Sequence, residues 1–161
     1  PLENKMIIVL RNPYNVLCSK LHIFMKKKMK ETEIKKEMEE SVKMWKTYYY
    51  LGCRFPDTVL VYDEWVNSKD YRVKFAQKRC LCNNEKDIFA VNGHGVSLFN
   101  TSLKVMAPEE LLKRYEIHKD HKIYKELVLG DNELKIMWNS TIDVHCTTLK
   151  NYVFNKMFLI E

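Results

Sequence analysis

The chain has 161 residues, 46% of them hydrophobic and 30% charged, which suits one folded domain with a buried core. No apolar run approaches the roughly 20 residues of a membrane-spanning helix, so no membrane span is expected. A net charge of +6 with a sequence pI near 9.0 fits a polyanionic ligand, whether nucleotide, sulfated glycan or nucleic acid, and does not choose among them.

Residues 6–10 form a continuous apolar, branched run, the pattern of a strand buried on both faces of a parallel sheet. Arg11, Asn12 and Pro13 break it. Proline has no N–H and a φ suited to the first helical turn, and Asn before it is a natural cap, so the reading is strand, tight turn, helix. That turn places Arg11 at the carboxyl end of a buried strand, beside free helix N–H groups, where open α/β sheets bind anions. Ser19, eight residues on, stands about two helical turns further and can lend a hydroxyl to the same anion.

The helix continues over 15–29, with Val16, Leu17, Leu21, Phe24 and Met25 on one side, and ends in Lys26, Lys27, Lys28 and Lys30, read as a solvated helix end. A longer helix is predicted over 31–52. Ile34, Met38, Val42, Trp45 and Tyr49 recur at helical spacing as a core stripe rather than as a stacking platform, and Gly52 is its expected stop. Residues 58–62 give a second apolar, branched run, closing in Tyr62-Asp63-Glu64-Trp65. A further amphipathic helix is predicted over 70–81.

Asn92-Gly93-His94-Gly95-Val96-Ser97 holds two of the four glycines in the chain. Such spacing lets backbone N–H groups approach an anion, but it fits no dinucleotide fingerprint and reads first as a surface turn. A helix is expected over 108–115, opened by Pro108. His118, Asp120 and His121 lack the spacing that completes a metal site and read as solvated linker residues. Two helices are predicted over 124–129 and 133–142, hinged at Gly130-Asp131-Asn132, with Trp138 as anchor. Residues 152–160 read as strand or terminal helix. The five cysteines, Cys18, Cys53, Cys80, Cys82 and Cys146, are odd in number and unpaired in spacing, so reduced thiols in a cytoplasmic location and no metal are expected.

Arg11-Asn12-Pro13-Tyr14-Asn15-Val16-Leu17-Cys18-Ser19 resembles the 3′-phosphate-binding motif of the sulfotransferases that use 3′-phosphoadenosine 5′-phosphosulfate (PAPS). In that motif a strand is followed by Arg, Asn or Asp, Pro, any residue, Asp or Asn, Val, two further residues and Ser. Asn15 stands where Asp is common. The resemblance implies that Arg11 and Ser19 hold the 3′-phosphate. Tyr62-Asp63-Glu64-Trp65 is similar to the family's Tyr-Glu-Asp-Leu strand end, which implies that Tyr62 lies near the adenine; from the residues alone an aromatic packed beneath the next helix is equally open. The position of the 93–97 turn resembles the family's late nucleotide-covering loop, making Gly93, His94, Gly95 and Ser97 candidates, although the usual Arg-Lys-Gly is missing.

Two apolar runs separated by helical patterns predict an α/β fold, like that of the family: three layers, α/β/α, with a parallel sheet, a helix-rich carboxyl-terminal half, and residues 6–10 and 58–62 as neighbours or near neighbours in the sheet. The family cradles the 5′-phosphosulfate in a Lys-containing loop upstream of Arg11, and its catalytic base also lies upstream. Only ten residues precede Arg11 here, and the chain begins Pro-Leu-Glu without a Met. It therefore reads as a single sulfotransferase-like domain, 1–161, incomplete at its amino terminus and completed by another chain or an amino-terminal segment. The expected partners are the nucleotide donor PAPS and a carbohydrate or other hydroxyl acceptor. The alternative is an inactive binding or structural module. Nucleic acid ranks last, because the lysines interleave with glutamates instead of forming a stripe. His22 is the nearest ionisable candidate for a base, and a helix-face histidine is the plainer reading.

Overall fold

The branched runs near the amino terminus and after Pro56 become strands, β1 (Ile8–Leu10) and β2 (Val59–Val61), joined by a helical crossover. They pair in parallel, Ile8 with Val59, Val9 with Leu60 and Leu10 with Val61, so the two runs do lie side by side in one sheet. The computed structural model describes residues 6–79 and 113–142.

Helix α1 (Pro13–Lys26) starts where the sequence demands it. Pro13 fills the first position, and the Asn12 Oδ1 accepts from the Tyr14 and Asn15 N–H groups at 2.9 and 3.4 Å. It stops at Lys26 rather than 29, because Lys28 adopts φ 55°, a left-handed step that turns the chain. Helix α2 (Glu31–Arg54) follows, its start fixed by Glu33, whose carboxylate accepts the Lys30 N–H at 3.1 Å. Ile34, Met38, Val42, Trp45 and Tyr49 are all buried, as a core stripe requires.

Gly52 does not end this helix. It is buried inside it, and a Cβ there would stand 3.0 Å from Val59 Cγ2 and 3.5 Å from Leu10 Cδ1. The missing side chain is what lets α2 lie directly on both strands. Helix α2 ends at Arg54, just before Phe55 and Pro56, and a 3-10 turn (Pro56–Thr58) leads into β2.

β2 passes straight into α3 (Tyr62–Asn67), so Thr58 and Tyr62, predicted as strand, bound it instead. Helix α4 (Lys69–Lys78) is capped by Ser68, whose Oγ accepts the Tyr71 N–H at 3.1 Å. Arg72 donates to the Trp65 and Val66 carbonyls, the open end of α3, at 2.9 and 3.3 Å. The later segment holds a 3-10 turn (Arg114–Ile117), a single helical turn α5 (Lys122–Tyr124) that runs into a π turn (Lys125–Leu129), and α6 (Asn132–Ile142). The two helices predicted on either side of Gly130 are present in substance. The helix predicted over 108–115 falls mostly outside the described residues, as do residues 80–112, with the 93–97 turn, and the tail at 152–160.

The expected three-layer α/β/α architecture is not what forms. Among the described residues the sheet has two strands of three residues each, and helices make up nearly all the remainder. The register explains the difference. Ile8 and Leu10 share a face with Val59 and Val61, and α2 covers that face through Gly52. Val9, on the opposite face, is 52% exposed, so no described element forms a second layer there. The remaining apolar surface is consumed by helix-on-helix packing: Trp45 meets Trp138 edge to face at 6.4 Å, and Ile123, Tyr124, Val128, Leu134 and Met137 close the same core.

Candidate anion site at the strand ends

Both strands end at the same place, and the residues that follow them meet. The Arg11 guanidinium lies over the Tyr62 ring, 4.2 Å from its centroid, a cation–π contact between groups that are each half-buried. One residue on, the Asn12 N–H donates to Asp63 Oδ2 at 3.0 Å. From below, the Trp45 Nε1–H donates to the Arg11 carbonyl at 2.9 Å. Arg11 is thereby fixed through its side chain by one strand end and through its main chain by α2.

Asp63 is the counterweight in this arrangement. Burial pushes its carboxyl above the ordinary carboxylate value, while the Asn12 N–H and the Arg11 charge pull in the opposite direction. The guanidinium so keeps a positive face toward Tyr62 with one partly buried acid beside it.

The helix N–H groups expected to be free for an anion are not free. Asn12 occupies those of Tyr14 and Asn15 with its own side chain, its carbonyl takes that of Val16, and Pro13 has none. An anion bound here must rely on side-chain donors, with the helix contributing only its dipole. Ser19 is the seventh residue of α1 and half-buried, on the same side of the helix as Asn12 and Val16. It forms no hydrogen bond with Arg11 or Tyr62.

Of the sequence-predicted residues, Arg11 and Tyr62 are brought into contact and Ser19 lies further along the same helix, while Gly93, His94, Gly95 and Ser97 lie outside the described residues. His22 is no solitary helix-face histidine. Its Nδ1 bonds His118 Nε2 at 3.0 Å, so His118, expected as a solvated linker residue, is instead half-buried against α1. Sequence reasoning missed Trp45 as the donor to Arg11 and Asp63 as the acceptor for the next residue, Asn12. The signal for Trp45 was its indole N–H, which needs an acceptor once a core stripe buries it.

A separate groove of about 480 Å³ opens between α2 and α6, lined by Glu39, Lys43, Lys46, Tyr50, Asp131 and Glu133. Its central cation is already neutralised, since Lys46 Nζ lies 2.7 Å from Asp131 and 2.8 Å from Glu133. No described helix is long and apolar enough to cross a membrane. No protein-family model, curated protein or solved structure matches this chain.

Proposed function

We propose that the strand ends hold the 3′-phosphate end of PAPS, and that a protein containing this chain together with a 5′-phosphosulfate loop and a base transfers sulfate to a hydroxyl, sugar-like acceptor. One observation carries the reading: the residue resembling the family's phosphate-binding Arg and the one resembling its adenine-side Tyr, far apart in sequence, are in contact at 4.2 Å. Arg11 supplies a charge-assisted fork for phosphate oxygens and Ser19 a neutral donor. Tyr62 offers a ring face at the base end of the same ligand. A reducing, cytoplasmic setting agrees with the odd number of cysteines, five, and their lack of paired spacing.

The second reading, an inactive binding module, is favoured by the state of His22. The one histidine of α1 is tied to His118 and so is not poised to take a proton from an acceptor. Holding only the spectator end of the donor supplies ground-state binding and leaves the barrier where it was. The chain alone is therefore expected not to catalyse sulfuryl transfer.

Calorimetric titration with adenosine 3′,5′-bisphosphate tests the site. Arg11→Ala should weaken binding by about 2 to 4 kcal/mol, and Ser19→Ala by about 1 kcal/mol. Equal affinity of wild type and Arg11→Ala removes Arg11 from the site. Transfer from radiolabelled PAPS by the repurified chain, lost in His22→Ala, would overturn the expectation of inactivity.

A further inference from the structure

A cluster of imidazoles lies where the segment at 113–121 rests on α1, one helical turn beyond Ser19. His22 Nδ1 and His118 Nε2 face each other at 3.0 Å with the rings stacked, 5.3 Å between centroids and 28° between planes. Such a bond needs one N–H and one lone pair, so a single proton occupies the gap. With a proton on both facing nitrogens, two donors confront one another and the bond is lost, and once both rings are charged they also repel.

We propose that the His22–His118 pair is a pH-sensitive latch, which docks residues 113–121 on α1 at neutral pH and releases them on acidification. The surroundings give a second charge no relief. From α1 the neighbours are His22 itself and the buried thiol of Cys18, which burial keeps protonated; from the segment comes His121, whose Nδ1 is buried without a partner. No carboxylate is among the groups acting on His118, and the nearest in sequence, Asp120, is held by Lys125 at 2.9 Å. The other ties of this segment do not titrate in the range that matters. The Tyr115 N–H donates to Asn15 Oδ1 at 3.0 Å, and just beyond the segment the core residue Tyr124 donates its hydroxyl to the Tyr14 carbonyl at 2.7 Å.

The sign follows from linkage. Burial first, then the charges of His22 and His121, hold His118 below its ordinary value of 6.5. A basic group depressed in the docked state makes docking strongest above that value, and docking weakens about tenfold for each pH unit below it until the docked form itself takes the proton. Release uncovers Cys18, fully buried at neutral pH. The latch does not depend on the nucleotide reading.

Hydrogen exchange of the full chain by NMR, each rate divided by its intrinsic chemical rate, tests the latch between pH 7.5 and 5. The Tyr115 amide reports the segment and the Met38 amide reports the core of α2. The expected result is a fall in Tyr115 protection of about tenfold between pH 7.5 and 5.5, with Met38 unchanged. His22→Gln and His118→Gln each keep a hydrogen-bonding side chain without a second charge, and each should flatten the profile. Constant Tyr115 protection in the wild type, a parallel loss at Met38, or an undiminished fall in both Gln variants overturns the proposal. If neither variant folds, the wild-type comparison of Tyr115 with Met38 decides alone.

Discussion

The two sides of α2 are built differently. Toward α6 it presents Trp45 and Tyr49, with stacked rings 5.9 Å apart, against Trp138, and polar contacts, the Lys46 pairs and the bond from the Tyr50 hydroxyl to Glu133, stand at its margin. Toward the strands it presents Gly52 and a single indole N–H, and what it supports there is a charged turn. Helix packing tolerates a spread of shapes, whereas the strand side depends on one absent side chain and a few hydrogen bonds. Damage to the first should register as lost stability, and damage to the second as a displaced Arg11.

Trp45 belongs to both sides and is the strongest way to break the distinction. Trp45→Ala removes the ring packed on Tyr49 and Trp138 and leaves the Arg11 carbonyl without its donor, and urea unfolding should show a loss of about 3 to 5 kcal/mol. Trp45→Phe keeps most of the ring and loses the donor. It should cost less, and if the two sides are separable it should still weaken any anion binding at Arg11. Gly52→Leu attacks the strand side alone. With Val59 Cγ2 already 3.0 Å from the Cβ position, either strands or helix must shift, at about 1 to 3 kcal/mol in the same measurement.

Asp63 sharpens the comparison by separating shape from charge. Asp63→Ala leaves the Asn12 N–H unpaired and should cost about 1 kcal/mol, while Asp63→Asn keeps an acceptor and should cost less. The pH dependence distinguishes them further. A carboxyl whose folded value is raised favours folding fully below its unfolded value, and that contribution is lost as pH rises through the folded value, so Asp63→Asn should be relatively more stable than wild type above the ordinary carboxylate range. Stability curves at pH 4 and pH 7 check this, and a difference that grows toward acid would contradict it. Lys35→Ala marks the lower end of the scale: its bond to Glu126 is solvent-exposed, and no measurable change in unfolding midpoint is expected.

What was legible in the sequence divides along the same line. The stripe from Ile34 to Tyr49, the Asn12-Pro13 start of α1 and the two branched runs are local patterns, and each formed where its period or cap required. The layer count was not local. It rested on two apolar runs separated by helical patterns, and the exposure of Val9 shows that an apolar run alone does not disclose whether anything lies over its second face. Gly52 was misread because a glycine at a helix end and one beneath a crossing strand look the same until the strand is placed. At the strand ends, Arg11 and Tyr62, which the resemblance singled out, meet, but the donor to the Arg11 carbonyl comes from Trp45 and the acceptor for the Asn12 N–H from Asp63, and neither carries any sign in sequence of the atom it will bond. The His22–His118 bond spans 96 residues, a distance over which no periodicity speaks.

The bond from Trp45 to the Arg11 carbonyl and that from Asn12 to Asp63 close spans of 34 and 51 residues, which has a consequence for how the molecule matures. The turn around Arg11 can form its cap early, since Asn12 and α1 are neighbours in the chain. The orientation of the guanidinium must wait until both loops have closed, an ordering cost that nearby contacts do not offset. A chain with α1 and α2 formed but β2 not yet paired would carry the charge without aiming it, so the Arg11–Tyr62 contact should be acquired in the last kinetic phase of folding.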